Sequence, residues 1–269
     1  MGVALFCLSR SAQDQAFRLV HKSELASTNG DALARAKEGD PGHLWVVADT
    51  QTAGRGRNGR SWASPTGNLY ASLLLRDPSP QHKAAELGFV AGVAAAHALR
   101  EILRGDPRIK IKWPNDILYD GAKLCGILLE GTTLPNGRFA CVVGIGANCR
   151  THPKNTPYPA TDLMTIMGLP AAPEVVFEQL SASMAHWLGV WASGADFASI
   201  RAEWLPLAAG RGTRIRIALP SHAVEGAFQT IDEAGRLIVV QDTGKVVTMD
   251  AGDVFFAQQS MTAAKAVNG

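Results

Sequence analysis

The sequence predicts an α+β fold, a mixed and largely antiparallel sheet packed with helices, followed by a small β-barrel. Three observations carry this. Asp120-Gly121 and Asn136-Gly137 each separate apolar strand-like runs, the pattern of successive hairpins and not of β-α-β alternation. Residues 84–103 and 173–191 are too long for strands and read as helices. After Pro206 the apolar runs shorten and turns recur at close intervals, as in a small all-β module.

Taken in order, residues 1–14 read as a loose leader, and residues 16–21 alternate weakly as a first strand. Ser27 or Thr28 can cap a helix through Ala32, Leu33, Ala34 and Ala36 that stops near Gly39, because a hydroxyl there accepts from the free amides of the first turn. Residues 44–48 form a buried strand, 50–67 a Gly/Arg-rich loop, and 69–75 another strand. Residues 84–103 are Ala-rich and free of proline; Gly88 and Gly92 lower helix propensity there and are expected to pack closely on a sheet. Residues 109–113 alternate Ile and Lys and stop at Pro114. Residues 117–119 and 123–130 flank a type I′ turn, and 138–143 follow the second turn. Within 173–191, Val176, Leu180, Met184, Trp187 and Trp191 share one face, and 197–204 is a further short helix. Strands at 213–219, 223–231, 236–241 and 245–249 are separated by Glu233-Ala234-Gly235 and Asp242-Thr243-Gly244. The expected organisation is a leader (1–14), an α+β domain (15–206), a β-barrel (207–260) and a tail (261–269), without internal repeats.

Composition narrows the function classes. The 269 residues are 46% hydrophobic and 19% charged, an ordinary globular balance, and the net charge of +2 provides no global field for nucleic acid or anionic membrane. The four cysteines, Cys7, Cys125, Cys141 and Cys149, form no C-x-x-C pair and no zinc-finger spacing, so they read as free thiols, with Cys125 and Cys141 inside apolar strands. The apolar run 3–8 is too short to span a membrane and lacks a basic segment before it, so neither an anchor nor a signal peptide is expected and the chain reads as cytoplasmic.

The most unusual stretch is Gly54-Arg55-Gly56-Arg57-Asn58-Gly59-Arg60. Glycines allow backbone amides to converge on an anion, and arginines add planar phosphate recognition. It fits G-x-G-x-x-G, but Ser61-Trp62-Ala63-Ser64-Pro65 cannot open the helix that a dinucleotide fold needs, and no Gly-Lys-Ser/Thr follows as in a P-loop. Taken alone, such a loop is as often a solvated basic turn.

In Lys112-Trp113-Pro114-Asn115-Asp116 the proline ends a strand and presents Asn115 and Asp116 at its tip, although Pro-Asn-Asp by itself is most often a plain turn. Lys123, in Lys123-Leu124-Cys125-Gly126, either snorkels outward or faces a pocket, and Gly126 would admit a ligand close to the backbone. The seven histidines are scattered, and no Ser/His/Asp or Cys/His set stands out.

Together with Ser27-Thr28-Asn29, Gln51, Ser61-Trp62 and Gly144-Ile145-Gly146-Ala147-Asn148, these motifs follow one another as in biotin protein ligases, which the chain resembles over roughly residues 16–256. The resemblance implies a catalytic domain like that of class II aminoacyl-tRNA synthetases and an SH3-like C-terminal barrel. It implies an enzyme that activates biotin with ATP and Mg²⁺ as biotinyl-5′-AMP, then transfers it to one lysine of a biotin carboxyl carrier protein. Ser27, Thr28, Asn29, Gln51, Gly54, Arg55, Gly56, Arg57, Lys123, Gly126 and Gly146 would bind biotin. Arg55, Arg57, Arg60, Trp62, Asn115, Lys123 and Asn148 would bind ATP or the adenylate. Lys123 and Arg57 would neutralise the two anions that meet, and Asp116 is the candidate base for the acceptor lysine and candidate ligand for Mg²⁺.

The short leader leaves no room for the DNA-binding domain of the family's bifunctional members, so a monofunctional enzyme without nucleic-acid partners is expected. The resemblance also makes a homodimer through sheet edges an expectation. The nearest rival is a lipoate or octanoate ligase of the same superfamily. From other classes, the rivals are a nucleic-acid-binding module and a carrier-binding protein without catalysis; the charge balance and the complete set of polar site positions disfavour them.

Overall fold

The structure, a computed structural model, describes residues 5–154, 156, 158–219 and 222–256; the expected tail and residues 257–260 of the expected barrel lie outside the described residues. From residue 5 onward the expected leader is not loose. Residues Arg10–Asp14 form α1, capped by Ser9, whose side chain accepts from the Ala12 amide. Phe6 is 7% exposed and meets Phe177 edge-on, and the Ser9 amide donates to Ser181. Too short to show periodicity, the segment is ordered by the core it joins.

Next come β1 (Arg18–Leu25), α2 (Thr28–Lys37), β2 (Leu44–Gln51), β3 (Leu69–Arg76), α3 (Leu87–Ile102) and β4 (Ile109–Lys112). They are followed by β5 (Asp116–Tyr119), β6 (Ala122–Thr133), β7 (Phe139–Ala147), α4 (Leu163–Met167), α5 (Pro173–Trp191) and α6 (Phe197–Leu207). One seven-stranded sheet runs β1-β2-β3-β7-β6-β5-β4. Only β1–β2 is parallel. Asp120 (φ 48°) and Gly121 (φ 79°) both lie in the left-handed region, which is the type I′ turn that the sequence predicts.

The two faces of the sheet explain the uninterrupted apolar run of β2. Trp45 and Val47 join the core under α3 and α5, whereas Leu44 and Val46 join a second cluster with Ala32 and Ala36 of α2. Each buried valine or leucine among them, taken out of water, stabilises the fold by about 1.5–3 kcal/mol. Gly92 fulfils the close-packing expectation, since a Cβ there would meet Ile111 at 3.6 Å, but Gly88 faces open space and does not. Helix α4 is only five residues long, too short for a periodic pattern to announce it; Asp162 caps it and Gly168 (φ 72°) ends it.

The C-terminal module consists of β8 (Arg214–Ala218), β9 (Ala223–Ile231), β10 (Leu237–Val240), β11 (Val246–Met249) and β12 (Asp253–Phe256). Its antiparallel sheet runs β11-β10-β9-β8-β12; the fifth strand, β12, was not among those expected. The module is docked on the first domain: Trp113 Nε1 donates to Gly235 O at 3.0 Å, and Phe228 meets Trp204 edge-on.

Candidate active site

Strand register builds the floor of the site. Tyr70 pairs with Gly146, Gly146 with Gly126, and Gly126 with Asp116, so one row of residues crosses β3, β7, β6 and β5 on the face away from α3. Gly126 and Gly146 leave a slot in that row, and the Trp62 indole fills it. A Cβ at Gly146 would lie 2.7 Å from Trp62 Nε1, and one at Gly126 2.9 Å from the ring. Trp62 Nε1 is buried without a hydrogen-bond partner among the described residues, an unspent donor inside the site.

Simple alternation would put Lys123 on the core face with Cys125. A β-bulge prevents this: the register slips between Ile117 and Leu118, so Leu118 pairs with Lys123, Ile117 with Cys125, and Leu124 is the extra residue. Leu124 and Cys125 both enter the core, and Lys123 turns to the cavity. Its Nζ lies 2.7 Å from Asp116 Oδ1, as an ion pair with side chains 14% and 12% exposed, and 5.2 Å from the Trp62 ring centroid. The edge-lysine alternative is thereby excluded.

One end of the cavity is neutral and polar. Ser27 caps α2, the Thr28 amide donates to Gln51 Oε1 at 2.8 Å, and Gln51 Nε2 donates to Ser64 at 3.0 Å. Ser72 Oγ lies 2.5 Å from Asn29 Oδ1, and Asn29 Nδ2 donates to Glu130 at 2.8 Å.

The Gly/Arg loop covers the cavity. Asn58 (φ 55°) and Gly59 (φ 72°) turn it back on itself, and the Gly56 amide donates to Arg60 O. The amides expected to converge on an anion are therefore partly spent within the turn, and the cationic side chains supply the charge instead. Arg55 donates to both oxygens of Glu130 at 3.1 Å. Arg57 donates to Asn115 Oδ1 at 2.9 Å, and both Arg57 and Arg60 reach Asp253. Lys112 is 7% exposed, with its Nζ 4.9 Å from the Tyr158 ring centroid, and burial holds its pKa below the ordinary lysine value.

The cavity measures about 300 Å³. Every residue expected to bind biotin or nucleotide lies on its wall except Gly54. Gly54 sits behind the wall, accepting from the Trp62 amide, where a Cβ would strike Trp62 O at 2.6 Å; it shapes the loop and does not face the cavity. Asn148 borders the cavity but spends its Nδ2 on Thr161 O. Sequence reasoning missed Glu130, Tyr158 and Asp253, which carry no local motif, and left Lys112 without a role inside a motif it had singled out.

Residues 27–148 match the biotin/lipoate A/B protein ligase family, and residues 211–257 match the biotin protein ligase C terminal domain. The biotin–[acetyl-CoA-carboxylase] ligase of Paracoccus denitrificans is 37% identical over 235 residues, which is 86% of this chain and 97% of that protein. The chain belongs to the biotin protein ligase family. Among solved structures, the biotin protein ligase of Aquifex aeolicus in complex with biotin and ATP is similar at TM-score 0.74 and 27% identity, over 88% of this chain and 97% of that one. The biotin protein ligase of Leishmania major in complex with biotinyl-5-AMP is similar at TM-score 0.55 and 26% identity, over 87% and 98%. In this family setting, the seven-stranded domain and the C-terminal sheet are the biotin ligase fold with its SH3-like module.

Proposed function

We propose that this chain is an ATP-dependent biotin–protein ligase. A carboxylate oxygen of biotin attacks the α-phosphorus of ATP and pyrophosphate leaves, giving biotinyl-5′-AMP. The amine of a carrier lysine then attacks the acyl carbon, loses its proton, and AMP leaves. The observation that carries this reading is the charge at the cavity, where Arg55, Arg57, Arg60 and Lys123 line the wall with Asp116 and Asp253, and a third carboxylate, Glu130, pairs with Arg55, which leaves the cations in excess by one. Two anions can react only where such a surplus offsets their repulsion, and preorganised cations are the main source of catalysis in phosphoryl and adenylyl transfer.

Specificity follows from the opposite end. Ser27, Thr28, Asn29 and Gln51 offer hydroxyl and amide groups suited to the neutral, hydrogen-bonding head of biotin. A dithiolane or an alkyl chain would offer those groups no hydrogen-bond partner, which favours biotin over lipoate or octanoate. Arg55, Gly56, Gly126 and Gly146 would border biotin, while Arg57, Arg60, Trp62, Asn115, Lys123 and Asn148 would border the adenylate. Gly54 acts on biotin only through the loop.

Among the described residues, no three His, Cys, Asp or Glu side chains form a metal cage. The site fits a Mg²⁺ that arrives on ATP phosphates and takes at most one or two protein carboxylates, Asp116 being the candidate. Such an ion would supply charge neutralisation of the phosphates. Asp116 is committed to orienting Lys123, so it accepts the acceptor amine's proton only when that pair opens.

The partner in this reading is the biotin carboxyl carrier protein of a carboxylase, and the compartment is the cytoplasm, where ATP is available. In support, no helix among the described residues is long and apolar enough to cross a membrane, and Cys125, Cys141 and Cys149 are buried free thiols. A homodimer would pair through an edge of the large sheet, β1 or β4, and sedimentation would detect it.

The test is biotin-dependent exchange of labelled pyrophosphate into ATP, without carrier, with lipoate and octanoate in parallel. Exchange with biotin alone is expected; exchange with another acid and not biotin would overturn the substrate.

A further inference from the structure

The Gly/Arg loop is fastened from outside its own domain. Arg57 Nη2 donates to Gly252 O at 3.0 Å and to Asp253 Oδ1 at 3.2 Å, and Arg60 donates to Asp253 Oδ2. Asp253 is the first residue of β12, where it pairs with Ala218 at one edge of the C-terminal sheet. A single carboxylate thus receives two guanidiniums from opposite ends of the 3₁₀ turn Arg57–Gly59. Arg57 also donates to Asn115, so the carboxylate completes a chain from β12 through the loop to the strand that carries Asp116.

We propose that Asp253 is the latch of the active site, a positioning residue through which the C-terminal module holds the Gly/Arg loop closed over the adenylate. The idea rests on the ligase reading for what is retained, though not for the closure itself. Arg57 and Arg60 are also the groups to which ATP phosphates would be drawn, since guanidinium pairs with phosphate as readily as with carboxylate. When pyrophosphate leaves, those arginines lose an anion and return to Asp253. The loop is then tightest when an acyl-adenylate must be kept from water, the state in which a closed lid matters most. This gives the module a part in adenylate retention, separate from any contact with the carrier.

The test compares the full-length wild type with Asp253→Asn, which removes the charge, and Asp253→Glu, which keeps it. In the ligand-free protein, trypsin should cut after Arg55, Arg57 or Arg60 about tenfold faster in Asp253→Asn, with Asp253→Glu near wild type, because two partly exposed charge-assisted contacts are lost. An unchanged rate, or faster cutting spread equally over the C-terminal strands, would overturn the latch. With biotin and ATP, labelled adenylate should leave Asp253→Asn about tenfold faster, again restored by Asp253→Glu. Equal release from wild type and Asp253→Asn would also overturn it. If the wild type formed no adenylate at all, the ligase reading would fall, while the trypsin comparison would still decide the latch.

Discussion

Replacing Lys123 is the most direct test of the chemistry. Its Nζ is held 2.7 Å from Asp116 and its side chain is 14% exposed, so little water screens the pair. At ~4 Å and an effective dielectric of 20, one unit charge contributes about 4 kcal/mol. Neighbouring Lys112 and Arg57 retain part of the field, so we take about 3 kcal/mol, on the order of a 10²-fold loss in rate. Lys123→Met keeps the apolar stem and should show this loss in biotin-dependent pyrophosphate exchange. The same change strands Asp116, at a stability cost of about 1–3 kcal/mol, so a thermal melt must show the variant folded at the assay temperature. Lys123→Arg restores charge without the point-like ammonium geometry and should recover only part of the rate. Exchange by a folded Lys123→Met within threefold of wild type would remove Lys123 from the adenylation step.

Three further outcomes follow from the same geometry. Arg57→Gly breaks the contacts to Asn115, Gly252 and Asp253 and should release adenylate, seen as biotinylation of added bystander proteins; strict carrier specificity in that variant would refute the loop's sheltering role. Gly146→Ala places a methyl 2.7 Å from Trp62 Nε1 and should raise KM for biotin ten- to a hundredfold, about 1–3 kcal/mol of overpacking, whereas a change under twofold would show that the slot is not needed. Burial pushes the thiols of Cys141 and Cys149 up to about 12 and that of Cys125 higher still, so at pH 8 a thiol reagent should titrate exposed Cys7 alone, and all four cysteines only after unfolding.

Much of the site was legible because its parts are local. Ser27 before an Ala-rich helix, the alternating Gly and Arg of 54–60, and Lys112 to Asp116 each carry their reason within a few residues. Errors arose where a residue's role depends on distant neighbours. Gly54 resembles the other loop glycines in sequence, yet its surroundings are the backbone of Trp62 and not the cavity. Phe6 and α1 lacked a pattern long enough to read, and their order comes from α5.

By itself, the sequence determined the longer elements and most of their limits, since hydrophobic period, caps and turn residues act over one or two turns of chain, whereas the short α1, α4 and β12 carry too little pattern to read. It also determined which residue types were available for the chemistry. The tertiary structure alone decided where they point. A bulge at Leu124 turns Lys123 from the core into the cavity, and no periodicity announces it. Register across four strands aligns Tyr70, Gly146, Gly126 and Asp116 in one floor. Asp253 meets Arg60 across 193 residues, because only the docking of the C-terminal sheet can bring charges so far apart in the chain within bonding distance.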